Sequence, residues 1–209
     1  MKNNLQGVNW QYHSILYFKN NMQIHEQLLF PNFVYTAMLD NVNKENIQEF
    51  ILNTEKTDLG RTYSNAGGWQ CDLKNYSNSD IDILINNTTN ICQEVSNTWE
   101  IDNTIAMNSA WANINRKHDF NHAHYHPNCY FSAIYYVAAE SDCGGLVFNR
   151  PDLQGHYISN HNSSYTEKCY RIIPQTNLLV VFPSYLNHYV EPNLSDTVRI
   201  SIAMNFGIE

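Results

Sequence analysis

The chain has 209 residues, 43% hydrophobic and 15% charged: enough apolar material for one sizeable core, and too much for wholesale disorder. Its formal charge is -8, with 12 Lys and Arg against 20 Asp and Glu and no basic cluster. That excludes broad, sequence-independent nucleic-acid binding, which needs a basic surface to neutralise phosphates.

No stretch approaches the ~18 apolar residues of a membrane span, and the first residues lack the apolar run of a secretory signal. The cysteines (Cys71, Cys92, Cys129, Cys143 and Cys169) are odd in number, scattered and free of any C-x-x-C pair. This is the pattern of reduced thiols in a cytoplasmic protein, not of a disulfide frame or a thiolate zinc site.

The expectation is a single domain over 1–209, with 1–27 as an extension or early strand and a β core over 105–206. Leu28–Tyr35 reads as a strand broken by Pro31, hence an edge. Ile47, Phe50 and Ile51 keep helical spacing within Asn43–Asn53. Ser64–Gln70 is turn-rich, with Gly67 and Gly68 suited to positive φ; it reads as a structural turn before it reads as a loop over a site. Ser79 or Asp80 is placed to cap the clearest helix. In that helix Ile81, Leu84, Ile85, Ile91, Cys92, Val95 and Trp99 form a stripe for packing against a sheet.

After Asp102 the texture turns to β. Ile105–Asn115 alternates through Ile105, Met107, Trp111, Asn113 and Asn115. Tyr130–Val137 and Leu146–Phe148 follow, the latter entered through Gly144-Gly145. Residues 152–166 form a polar loop of the kind that carries substrate contacts. Leu178–Phe182 is an apolar strand stopped by Pro183. Thr197–Phe206 sets Val198, Ile200, Ile202 and Met204 on one face, and Arg199, Ser201, Ala203 and Asn205 on the other. A helical half supporting short strands and turns predicts a β-sandwich or open barrel.

The chemistry gathers in Asn121–Tyr136. Residues two apart in a strand share a side, so His122, His124 and His126 project together and any two can grip one metal ion. The plain alternative is a polar strand edge. His188 stands just past the Leu178–Phe182 strand, at a rim from which a ligand reaches the interior. Arg199 lies on the strand face opposite the apolar one. Inside a small barrel an unpaired charge costs on the order of several kcal/mol, so Arg199 needs an anionic partner. No acidic residue lies beside it in sequence. A carboxylate ligand matches its parallel donors, and Ser201 adds a hydroxyl on the same side.

These parts resemble the 2-oxoglutarate- and Fe(II)-dependent oxygenases, in particular the prolyl-hydroxylase-like branch and its small bacterial and phage members. The resemblance rests on Gly67-Gly68-Trp69-Gln70, Trp111-Ala112-Asn113-Ile114-Asn115, His124-Tyr125-His126-Pro127-Asn128 and Ser132-Ala133-Ile134-Tyr135-Tyr136. It continues through Gly144-Gly145-Leu146-Val147-Phe148, the run from Phe182-Pro183-Ser184 to His188 and Pro192, and Arg199-Ile200-Ser201-Ile202. Each piece is weak alone; in order, at family-like spacing, they are strong.

The resemblance implies a mainly β, double-stranded β-helix (cupin-like jelly roll) with N-terminal helices on one sheet. It places the metal histidines on His124 and His188, and the usual aspartate on His126. The arginine and tyrosine for the distal carboxylate of 2-oxoglutarate fall on Arg199 and Tyr136. Ser201 and Ser132 match small polar positions of the pocket. The implied cofactors are Fe(II), 2-oxoglutarate and O2, and the implied reaction is oxidative decarboxylation coupled to oxygen insertion into a C–H bond. The primary substrate is then a peptide or protein side chain, or a small metabolite.

The departure is His126. Three neutral imidazoles leave the metal one negative charge short of the usual two-histidine, one-carboxylate set, although imidazole suits Fe, Zn and Cu alike. Asp119 is a candidate carboxylate from the preceding loop, and His122 a candidate replacement for one of the two neighbouring ligands. Two other classes fit the histidines: a three-histidine cupin-type dioxygenase without 2-oxoglutarate, and a non-catalytic metal- or ligand-binding module.

Overall fold

The computed structural model describes residues 14–17, 23–26, 32–152 and 167–209. It divides into two compact units, Met1–Phe33 and Val34–Glu209. The first contains an antiparallel pair, β1 (Ser14–Tyr17) and β2 (Gln23–Glu26). The expected start of a strand at Leu28–Phe30 and the polar loop at 153–166 lie outside the described residues.

The second unit has thirteen further elements that matter here, in two sheets backed by two helices. They are β3 (Tyr35–Met38), α1 (Lys44–Glu55), β4 (Asn65–Ala66), β5 (Trp69–Asp72), α2 (Ser79–Thr98), β6 (Ile105–Asn115) and β7 (Phe120–His124). Then come β8 (Phe131–Ala138), β9 (Leu146–Asn149), β10 (Cys169–Ile172), β11 (Leu178–Pro183), β12 (His188–Val190) and β13 (Arg199–Ile208). One sheet runs β3-β11-β8-β13-β6-β5 and the other β10-β9-β12-β7-β4. None of the described helices is long and apolar enough to cross a membrane.

Both helices start on asparagine caps. Asn43 accepts from the Asn46 amide, and Asn78 accepts from the amides of Asp80 and Ile81, so α2 is capped one residue ahead of the expected Ser79. Ile47 and Ile51 of α1 and Ile81, Leu84, Cys92 and Val95 of α2 are buried in one cluster with Ile200, Ile202, Met204, Ala112 and Ile114. The helices thus cover the outer face of the six-stranded sheet. The inner face of that sheet meets the other sheet through Leu146, Phe148, Val180 and Phe182.

The two faces of β13 follow the alternation expected from the sequence. β6 does not keep it throughout. β13 pairs Asn205 with Ser109 but Phe206 with Met107, which leaves Asn108 as the extra residue of a bulge. The bulge exchanges the faces: Ile105 joins the helix-side core, whereas Trp111, Asn113 and Asn115 turn inward. β3 is an edge strand, but it spans Tyr35–Met38 and meets the expected Leu28–Tyr35 strand only at Tyr35; residues 32–34 are not strand. β10 and β12 are short strands that periodicity did not mark.

Gly67 and Gly68 both have positive φ and make the turn between β4 and β5, which belong to different sheets. The glycines serve the turn as expected, while Ser64 and Gln70 at its two ends line an open cleft, so both readings of this stretch apply. Asp119 packs against it: a Cβ on Gly67 would lie 2.0 Å from Asp119 Oδ1.

Candidate metal and carboxylate site

The inner faces of the two sheets enclose a cavity with histidines from one sheet and an arginine from the other. β12 pairs with β7 in a register that sets His188 opposite His124. Their ring centroids are 4.4 Å apart. His126 follows β7 by two residues and is fixed by its backbone amide, which donates to the Ser184 carbonyl at 3.0 Å. Its ring lies 4.9 Å from that of His124 and 5.3 Å from that of His188. One nitrogen from each ring falls within 4.8 Å of the others.

Two of the rings have an assigned tautomer. His124 Nδ1 lies 2.7 Å from the His122 carbonyl, and His188 Nδ1 lies 2.8 Å from the Leu186 carbonyl. A carbonyl only accepts, so each Nδ1 carries the proton and each Nε2 keeps its lone pair for a metal. The amide nitrogen of Asn205 faces His126 Nδ1 at 3.4 Å. Asn205 in turn accepts from Ser132 Oγ at 2.8 Å, and Ser132 and Ser184 hydroxyls are 2.8 Å apart. Ser132 therefore lines the cavity but is engaged on the histidine side.

Burial pulls all three imidazoles down: His188 to about 3, His126 to about 4, and His124 below its ordinary value. For His126 and His188 the mutual repulsion of charged rings adds to the effect. All three are neutral at pH 7, the form in which imidazole binds metal.

Asp119 and His122 are not in this cluster. Asp119 Oδ2 accepts from the Arg116 amide at 2.7 Å and serves the loop. His122 is exposed, edge-on to Phe120, and lines the cleft outside. Among the described residues, the metal-capable cluster consists of His124, His126 and His188 without a carboxylate.

Arg199, which lines the same cavity from the six-stranded sheet, is 1% exposed. Its Nη1 donates to the carbonyls of Cys143, Gly144 (3.4 Å) and Glu191 (3.2 Å). Gly144 is required there: φ is +84°, and a Cβ would fall 2.4 Å from the Glu191 carbonyl and 2.9 Å from Arg199 Nη1. This gives Gly144 its physical reason. Arg199 Nη2 is buried with no partner, and so is the hydroxyl of Tyr136. Both residues line the cavity, with Ser201, which sits opposite Tyr136 in the β13–β8 ladder. Burial pulls Arg199 down from the usual arginine value and pushes the Tyr136 phenol up. A buried cation with an idle donor beside an idle hydroxyl is complementary to a carboxylate.

A second, open cleft of about 600 Å³ adjoins the cavity and shares Ser64, Trp111, His124 and His126 with it. Sequence reasoning missed Asn205, Ser184 and the amides Asn113 and Gln70 as parts of the site. The inward parity of Asn113 and Asn205 was the available signal; for Gln70 and Ser184 only pairing reveals the placement.

Residues 109–205 match the model of a family described as "Putative 2OG-Fe(II) oxygenase". No curated protein sequence matches the chain. Several solved structures share its fold. A Pseudomonas putida prolyl-4-hydroxylase is 13% identical with a TM-score of 0.59, over 84% of this chain and 92% of that one. A Trichoplax adhaerens prolyl hydroxylase, solved with a hypoxia-inducible-factor peptide, is 13% identical with a TM-score of 0.61, over 82% and 83%. The collagen prolyl hydroxylase of Paramecium Bursaria Chlorella virus-1, solved with 2-oxoglutarate, is 12% identical with a TM-score of 0.56, over 83% and 94%. At these identities the likeness is one of fold, a double-stranded β-helix.

Proposed function

We propose, from the premise that residues 109–205 carry the 2-oxoglutarate/Fe(II) oxygenase pattern on that family's fold, that this chain is a 2-oxoglutarate-dependent dioxygenase. Its Fe(II) is held by three histidines. The observation that carries the reading is the buried Arg199, with Nη2 idle beside the idle Tyr136 hydroxyl, in the same cavity as the histidines.

In this reading His124, His126 and His188 hold Fe(II) through neutral imidazoles. The Nδ1 bonds of His124 and His188 to backbone carbonyls keep their Nε2 atoms aimed inward. Arg199 Nη2, Tyr136 Oη and Ser201 Oγ take the distal carboxylate of 2-oxoglutarate. Three carbonyls already fix the guanidinium, so little side-chain freedom is lost on binding. When bound, iron, 2-oxoglutarate and O2 together supply oxidative decarboxylation to succinate and CO2, with oxygen insertion into a substrate C–H bond. The apolar walls, Phe182 and Trp111 among them, limit water around the site. Hydroxylation of a peptide or protein side chain, or of a small metabolite, is the outcome we propose. The peptide complex of the Trichoplax neighbour and the open cleft support the former. All five cysteines are free, in keeping with a cytoplasmic setting.

A three-histidine dioxygenase working without 2-oxoglutarate has no use for Arg199, and neither has a module that only binds metal. The test is succinate formation from 2-oxoglutarate by protein loaded anaerobically with Fe(II) and then given O2. Succinate that is lost in His188→Ala and Arg199→Ala is expected. No succinate, together with no 2-oxoglutarate binding, removes the reading in favour of those two alternatives.

A further inference from the structure

Gln70 and Asn113 stand opposite each other in the β5–β6 ladder. Both are 7% exposed, and the oxygen of each carboxamide is buried without a donor. Directly opposed residues carry Cβ atoms about 4.5–5.5 Å apart. The two amide heads are therefore neighbours, yet no hydrogen bond joins them. Gln70 lines the outer cleft and Asn113 the inner cavity, and both spaces are walled by Trp111, His124 and His126. Idle buried polar atoms at such a junction call for a ligand group that reaches between them.

The charges of the cleft narrow the ligand. Arg61 and Asp72 both line it, and they face each other at 3.6 Å; Lys74 also approaches Asp72, at 3.4 Å. The two ionic groups that line the cleft thus match one to one and call for no charged substrate; the surplus cation, Lys74, lies outside the lining. A carboxylate brings no donor to the two oxygens. A single hydroxyl brings one. A primary carboxamide brings two N–H donors on one planar head, and its own oxygen serves either amide nitrogen if one of the heads is turned over.

We propose that Gln70 and Asn113 form a subsite for a primary carboxamide on the primary substrate, an asparagine- or glutamine-type side chain or a free amide. This deepens the oxygenase reading, on which it rests for what is done next to that group.

The experiment uses the full-length chain and blocked Ala-Asn-Ala and Ala-Gln-Ala peptides, their Asp and Glu counterparts, and free asparagine and glutamine. Affinities are read by ligand-observed NMR, and 2-oxoglutarate binding is measured on the same Fe(II)-loaded, oxygen-free sample. The amide form of the favoured probe is expected to bind at least about tenfold tighter than its acid form. Gln70→Leu and Asn113→Leu are expected to bring that ratio near one. Preference for a peptide assigns the group to a peptide side chain, and preference for the free amino acid assigns it to a small molecule. Equal or tighter binding of the acids, or no amide binding into the millimolar range, overturns the proposal. If either leucine variant fails to fold, the wild-type ratio decides alone. Absent amide preference with intact 2-oxoglutarate binding sinks the subsite but not the oxygenase. Intact amide preference without 2-oxoglutarate binding sinks the oxygenase but not the subsite.

Discussion

His188 and His124 face each other across the β12–β7 ladder with ring centroids 4.4 Å apart, and each turns Nδ1 to the carbonyl of the residue two positions before it. Strand pairing and a local backbone bond together fix the orientation of both rings.

Metal affinity follows from this arrangement. His188→Ala leaves two imidazoles and is expected to weaken Ni(II) or Fe(II) binding by at least about 100-fold. Isothermal titration of the purified chain checks this. Equal affinities in His188→Ala and wild type would show that the metal sits elsewhere.

Arg199→Met should abolish 2-oxoglutarate binding without unfolding the chain, because methionine fills the volume and removes a buried charge. Tyr136→Phe should weaken it by about tenfold, the value of one hydrogen bond to a charged group. The readout is thermal unfolding with and without ligand. At 100 times its Kd, 2-oxoglutarate stabilises the wild type by about 2.7 kcal/mol, and the arginine variant should gain nothing.

The metal-free protein should lose stability in acid. His126 and His188 have folded-state values of about 4 and 3, below the ordinary 6.5 of the unfolded chain. Below pH 6.5 the unfolded state therefore binds more protons. The contribution of each ring is complete above that pH and declines as pH falls toward the folded value, by about 1.4 kcal/mol per pH unit for one ring. Denaturant unfolding from pH 7 to pH 5 measures the slope. His188→Gln should flatten it; an unchanged slope would assign the acid sensitivity to other groups.

Gly144→Ala places a methyl group against the Glu191 carbonyl at a positive φ. The expected cost is about 2 kcal/mol or more, with 2-oxoglutarate affinity falling as Arg199 is displaced. A variant that unfolds and binds like the wild type would mean that the Arg199 cradle is plastic.

What was legible in the sequence was what depends on near neighbours. The two faces of β13 follow from period-two geometry, and the α2 stripe follows from helical geometry; both are local properties of the backbone. The closeness of His124 and His126 needs only an extended chain, and Arg199 announced its need for an anion by sitting on the inward face.

Contacts made across the fold were not legible. β12 has three residues and exists because β7 and β9 flank it, so its register with His124 is set by sheet assembly rather than by propensity. The bulge at Asn108 reversed the inward face of β6, which a strict alternation from Ile105 misassigns. Asp119 looked like a spare carboxylate until the turn at Gly67 was folded onto it. The sequence by itself determined which chemical groups are available and which local faces carry them. The tertiary structure alone decided which groups meet, because pairing register and burial join residues 62 positions apart, as with His126 and His188, and leave Arg199 Nη2 and Tyr136 Oη without partners in a shared cavity.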